Sequence, residues 1–200
     1  AAETNGAEPE KISLLERQMI FGYTREDLDI LLAPMANSKE GKEPVGSMGN
    51  DSPLAVLSLR PQPIFNYFKQ LFAQVTNPPI DAIREEIVMS LETDIGRERN
   101  LLDETPEHAQ MLHLSSPVIS DDQLSYIKGL DQPGLKTKVI STLFPVADGT
   151  KGLETALDRI CSEAEQAIGE GYTLLVLSDR GVSQTHVPMP SLIAVGGVHH

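Results

Sequence analysis

The stretch GLETALDRICSEAEQAIGEGYTLLVLSDRG, Gly152 to Gly181, decides the architecture. Leu153, Leu157, Ile160, Cys161, Ala164 and Ile168 recur at helical spacing, so its first part reads as a helix with one apolar face. Gly169 and Gly171 supply the C-terminal stop. YTLLVLSDRG then runs apolar without alternation, the pattern of a strand covered on both faces in a parallel sheet. Upstream, LKTKVISTLFPV reads as another strand, with Val139, Ile140, Leu143 and Phe144 as core candidates. Downstream, Pro190 suits the first turn of a helix, SLIAVGGVHH. Strand, helix, strand, helix in this order predicts an α/β fold with a mostly parallel sheet and right-handed crossovers.

The preceding half is less regular. KISLLERQMIFG reads as a short helix, with Ile12, Leu15 and Met19 near helical spacing. Thr24 suits the N-cap of REDLDILLAPMA, whose first turn holds Glu26 and Asp27, and Pro34 is expected to end or kink that helix. NSKEGKEPVGSMGNDSP, from Asn37 to Pro53, reads as a long surface loop. IFNYFKQLFAQV has the stripe of a strong helix at Ile64, Phe68, Leu71, Phe72 and Val75. Next, Pro78 and Pro79 fix their φ angles and push Asn77 to extended geometry, which makes a stiff corner, and Asp81 is placed to cap a turn beginning at Ala82. MLHLSSPVIS reads as a strand and turn, with Ser120 or Asp121 starting a short helix.

Bulk composition excludes several function classes. The 200 residues are 40% hydrophobic, enough for a core, but lack Trp, so aliphatic packing dominates. A net charge of -13 argues against nucleic acid and against anionic membrane surfaces, both of which select clustered Lys and Arg. A lone Cys161 forbids an intrachain disulfide and fits a reducing compartment. No apolar run reaches the ~18 residues of a membrane span, and AAETNGAEPEK has no apolar signal core.

Chemistry-bearing residues are scattered. Asp179, Arg180 and Gly181 fall where α/β folds gather ligands, after a strand's carboxyl end, although a strand-to-loop turn with a local ion pair explains them better. Gly46, Ser47, Met48, Gly49, Asn50 and Asp51 form a glycine-bearing loop that matches neither the dinucleotide fingerprint nor a P-loop. Cys161 lies on the apolar face of its helix and reads as a small hydrophobe. His108, His113 and His186 stand singly, without metal-ligand spacing, and His199 and His200 are adjacent on a helix and point apart. No nucleophile, base and orienter fall together. Two alternatives stay open on the residues alone: a small α/β enzyme using Asp179, Arg180 and His186, and a free-standing flavin- or phosphate-binding domain using Gly46 to Asp51.

Several stretches converge on one family. GSMGNDSPLAVLS, YFKQLFAQVTNPPIDAIREEIVMSL, GLETALDRICSEA, GYTLLVLSDR and the terminal AVGGVHH resemble the central domain of the glutamate synthase large subunit. The resemblance covers nearly the whole chain after about residue 11. It implies residues 11–200 as a central, connecting domain truncated at its C-terminus, and the polar residues 1–10 before it read as a flexible leader or linker. It implies a fold resembling a rudimentary or incomplete FMN-type TIM barrel. In the family, an amidotransferase domain releases ammonia from glutamine, and an FMN domain with a 3Fe-4S cluster uses it to make glutamate from 2-oxoglutarate. Partners implied are those two domains of the same chain, and a reductase subunit or ferredoxin for the parent enzyme. The compartment implied is the cytoplasm, or the plastid in a plant or alga. None of the family's catalytic, flavin or cluster residues maps onto this chain. Gly46 to Asp51, Asn77, Pro78, Pro79, Asp81, Asp179 and Arg180 are therefore expected to serve as interdomain or scaffold residues.

Overall fold

The computed structural model describes residues 12–37, 54–68 and 79–200. Chain order begins with α1 (Leu14–Ile20), α2 (Ala33–Asn37) and α3 (Ala82–Val88). There follow strands β1 (Thr93–Ile95) and β2 (Leu112–Leu114), helix α4 (Asp121–Lys128), and strands β3 (Asp131–Gln132), β4 (Leu135–Ser141) and β5 (Leu143–Pro145). The long helix α5 (Gly149–Gly169), β6 (Leu174–Ser178), β7 (His186–Pro188) and α6 (Ser191–His199) complete the described elements. The protein is mixed α/β with small sheets.

The α5 stretch is the organiser. β4, α5 and β6 form a strand–helix–strand unit in which β4 and β6 lie parallel, Thr137 opposite Leu174 and Ser141 opposite Ser178. Ile140, Ala156, Ile160, Ala164, Met189 and Ala194 form the core between this sheet, α5 and α6. Ile140 and Ile160 are wholly enclosed, and full burial of one such side chain contributes about 2–3 kcal/mol. The helix face is turned from the one its leucines suggest. Its buried line is Gly152, Ala156, Ile160, Ala164 and Ala167, flanked by Leu153 and Leu157, while Ile168 is 62% exposed. Small residues on the central line let α5 sit close to its neighbours, and the leucines fill the sides.

Caps fall where local chemistry places them. The Ser13 hydroxyl accepts from the Glu16 amide, and the Glu16 carboxylate accepts from the Ser13 amide and hydroxyl, each at 2.7 Å. Those bonds hold the Glu16 carboxyl below the ordinary glutamate value, so this box weakens only as pH falls through that lowered value. Ser120 and Gln123 make the same reciprocal pair at α4. Thr24 and Asp27 do so before α2, and Asp81 accepts from the Ile83 and Arg84 amides at α3. At the end of α5, Tyr172 donates to the Ala167 carbonyl and Gly171 to the Ile168 carbonyl, with Gly171 at φ 87°. Gly171→Ala should cost about 1 kcal/mol through that left-handed backbone. Gly169→Ala, in the helix with nothing within 4 Å of an added Cβ, should instead gain roughly 0.5–1 kcal/mol. Urea unfolding of the two variants checks the opposite signs.

Several expectations need correction. The sheet is not mostly parallel: β1–β2, β3–β4 and β5–β7 pair antiparallel, and β4–β6 is the parallel pair among the described strands. LKTKVISTLFPV is two strands, not one. Thr142 breaks them: its amide donates to the Ser178 carbonyl and its own carbonyl accepts from Met189, so the chain passes from pairing with β6 to pairing with β7. Val139 is 43% exposed, while Leu143 and Phe144 are half-buried. Pro34 does not end its helix. The turn before it, Asp27–Leu32, is wound wide, with Ala33 donating to the Leu28 carbonyl, and the extra width makes room for the ring. Leu15 and Met19 are exposed at 65% and 69%. Ile64–Phe68 forms a short 3-10 turn with Phe68 73% exposed, and Leu71, Phe72 and Val75 lie outside the described residues.

Candidate functional site

β6 ends at Ser178, and the chain turns at Gly181, where φ is 97° and an added Cβ would stand 3.3 Å from Leu143. This turn carries Asp179 and Arg180 to the carboxyl end of the parallel pair, as the sequence pattern anticipates. The structure also brings α1 there, which no sequence signal announces. Asp179 and Arg180 face Arg17, Leu14, Phe21 and Tyr23 across a cleft of about 550 Å³. Leu14 is 63% exposed and Tyr23 49%, so the cleft is open and shallow. Two guanidinium groups beside aromatic and aliphatic side chains have the composition of a protein-docking surface. The nearest carboxylate partner of Arg180 is Asp121, at 3.9 Å and highly exposed, a pairing worth under about 1 kcal/mol.

The other sequence candidates separate. Gly46, Ser47, Met48, Gly49, Asn50, Asp51, Asn77 and Pro78 lie outside the described residues. Pro79 is exposed, and Asp81 is committed to its cap and to Arg84 Nε at 3.0 Å. His186 does not line the cleft: its Nδ1 meets the Thr185 hydroxyl at 3.1 Å, beside the buried Ser183. Cys161 is half-buried and its Sγ donates to the Gly197 carbonyl of α6, a packing position. His113 Nδ1 meets Asp94 Oδ1 at 3.0 Å across the β1–β2 pair. Among the described residues no cluster of His, Cys, Asp and Glu could hold a metal ion, and no helix is long and apolar enough to cross a membrane.

A second hollow, of about 380 Å³ and open to solvent, lies within the segment between β1 and β2. Arg97, Arg99, Asp103, Glu107 and His108 line it. Arg99 Nε and His108 Nε2 are enclosed there with no hydrogen-bond partner. The Thr105 hydroxyl, then backbone hydrogen bonding and the charges of Arg99 and His108, hold the Glu107 carboxyl below its ordinary value. In sequence this hollow shows only as charges of both signs scattered through GRERNLLDETPEH, which any solvated loop displays.

The described residues form a mixed α/β unit with an open cleft at the carboxyl end of its parallel strands. The chain belongs to the glutamate synthase central domain family, whose model matches residues 16–200. It is 48% identical over 186 residues to the glutamate synthase [NADPH] large chain of Bacillus subtilis, covering 93% of this chain and 12% of that protein. It is 46% identical over 184 residues to the glutamate synthase [NADH] of Schizosaccharomyces pombe, covering 91% and 9%. It is 47% identical over 190 residues to the chloroplastic ferredoxin-dependent glutamate synthase of Oryza sativa, covering 94% and 12%. The chain thus spans about a tenth of the length of the curated relatives it matches.

Proposed function

We propose that residues 11–200 are the non-catalytic connecting domain of a glutamate synthase, holding the glutamine amidotransferase and FMN/iron–sulfur domains so that ammonia passes between them in glutamate biosynthesis. The distribution of buried residues carries this reading. Every buried residue described lies from Ile127 to Ala194. Before Ile127, apolar side chains point outward, with Leu59 103%, Ile83 84%, Ile87 79% and Val118 72% exposed. Apolar surface of this extent marks a docking face. A domain seated between neighbours accounts for it.

The cleft at Asp179 and Arg180 faces one such neighbour in this reading, and Gly46 to Asp51 another. The β4–α5–β6 unit is then one repeat of a rudimentary FMN-type barrel, and the cofactors, FMN and the 3Fe-4S cluster, sit in the parent enzyme's other domains. The relatives' names specify NADPH, NADH and ferredoxin at nearly equal identity to this chain. That supports electron entry, from a reductase subunit or ferredoxin, through other parts of the protein. The compartment is the cytoplasm, or the plastid in a plant or alga.

The test compares glutamine-driven with ammonia-driven glutamate formation in the full-length protein carrying Pro78→Ala and Pro79→Ala. Loosening the corner misplaces the two sites, so the glutamine-driven rate falls by about tenfold, and glutamine hydrolysis exceeds glutamate formed. Ammonia supplied from solution bypasses the transfer, and that rate holds. An unchanged ratio of the two rates overturns the positioning role of the corner.

A further inference from the structure

The three-stranded sheet β3–β4–β6 has two unlike edges. β3 closes one with Asp131 and Gln132, exposed and polar, as a short, blunted edge strand does. β6 closes the other with Leu174, Leu175, Val176, Leu177 and Ser178, a run with no charge and no proline, in continuous register with β4. An unblunted apolar edge is a template for a further strand. Both faces of β6 are apolar too. Leu175 and Leu177 pack on the core beneath α5 and α6, while Leu174 is buried on the opposite face beside Thr137. That is the pattern of an interior strand, found here at an edge. The register fixes which backbone groups are free. The Thr142 amide donates to the Ser178 carbonyl, so by alternation Leu174, Val176 and Ser178 turn their amides and carbonyls to β4. Those of Leu175 and Leu177 point to the other side, where no strand pairs among the described residues.

Helix α6 sets what arrives there. It starts at the carboxyl end of the parallel pair, where the Met189 amide donates to the Thr142 carbonyl. Its Gly197 then lies against Leu157 and Cys161, partway along α5. α5 leaves that same end of the pair and runs to the amino end of β6, so α6 runs beside it in the same direction. A polypeptide leaving α6 is thus at the amino end of the sheet, ready to return parallel to β4 and β6. We propose that the polypeptide following α6 returns as a strand parallel to β6 and pairs with the amides and carbonyls of Leu175 and Leu177. This rests on reading the chain as one domain of a longer glutamate synthase, whose relatives it covers to 9% to 12%. Handedness places the strand. Strand–helix–parallel strand connections are right-handed almost without exception. α6 lies in the same layer as α5, so a connection of the same hand steps the same way as β4–α5–β6, to the side of β6 away from β4. A second copy of the chain is the poorer occupant, because β6 meeting β6 across a two-fold axis pairs antiparallel.

Electron cryomicroscopy of the full-length protein tests this. The expected map shows a strand beside β6, parallel to it, traced from the polypeptide after α6. A bare β6 edge, a helix or loop laid over it, a strand from elsewhere in the chain, or an antiparallel strand of a second copy overturns the proposal. Amide hydrogen exchange in the full-length protein reads the same pairing in solution. The Val176 amide, turned to β4, is the internal reference. With the strand in place, the Leu175 and Leu177 amides exchange within ~tenfold of the Val176 rate. Fast exchange at both, with Val176 protected, counts against the strand. If the edge proves bare while the glutamine-to-ammonia rate ratio still responds to the Pro78 and Pro79 substitutions, the connecting role stands and only the added strand falls.

Discussion

Ile160→Ala is expected to lower stability by about 3 kcal/mol. Ile160 is wholly enclosed and belongs to one cluster with Ile140, Ala156, Ala164, Met189 and Ala194. Ala156 and Ala164, one turn to either side on α5, are already too small to swing into the space left behind. α6 is no freer to move in: a Cβ added at Gly197 would stand 2.6 Å from Leu157 Cδ1, so the two helices are in close approach. The cavity therefore persists, and both the lost burial and the void count against the fold. Urea unfolding should show the midpoint falling with little change in slope. Ile168→Ala is the control. That side chain is 62% exposed, and its loss should stay within about 0.5 kcal/mol. Equal losses at both positions would place the buried line of α5 on the wrong side.

Arg159→Met is expected to cost about 2 kcal/mol. Arg159 Nη2 donates to the carbonyls of Ser141 at 2.9 Å and Leu143 at 3.1 Å, one on each side of Thr142. Its Nη1 meets Glu163 at 2.8 Å. The guanidinium therefore ties α5 to the point where the chain leaves β4 and enters β5. Charge-assisted bonds to carbonyls are stronger than neutral ones, but the side chain is 38% exposed, so solvent screens part of the gain. Methionine keeps much of the aliphatic stem and removes the donors. Arg159→Lys retains charge but cannot fork to two carbonyls, so it should recover less than half of the loss. Thermal or urea unfolding of both variants decides the matter, and a lysine variant as stable as the parent would mean that charge alone, not the fork, holds the junction.

Local chemistry was legible along the chain. Thr24, Asp81 and Ser120 cap helices because a hydroxyl or carboxylate can reach amides two or three residues on, whatever else the fold does, and Ser13 does so at α1 without having been singled out in the sequence. Gly171 ends α5 for an equally local reason. The parallel pairing of β4 with β6 was also legible, since an unalternating apolar strand after a long amphipathic helix has few other places to go. β1 was missed. Three residues, Thr93–Ile95, carry too little pattern, and their pairing with β2 depends on a chain return past the charged hollow.

Asp179 and Arg180 were found as residues of a strand end, but not their counterparts. Arg17, Phe21 and Tyr23 come from the far end of the chain, and proximity across that distance leaves no periodic trace. The family itself was readable from contiguous stretches, and the match over residues 16–200 agrees.

By itself the sequence determined the helix caps and stops, the strand–helix–strand unit and the family, because each is written in neighbouring residues or in long contiguous matches. Only the tertiary structure decided which side of α5 is buried, where β4 gives way to β5, and which apolar side chains remain outside. Those depend on what arrives from elsewhere in the chain. An alanine line wins over a leucine line on α5 because two layers must come close there.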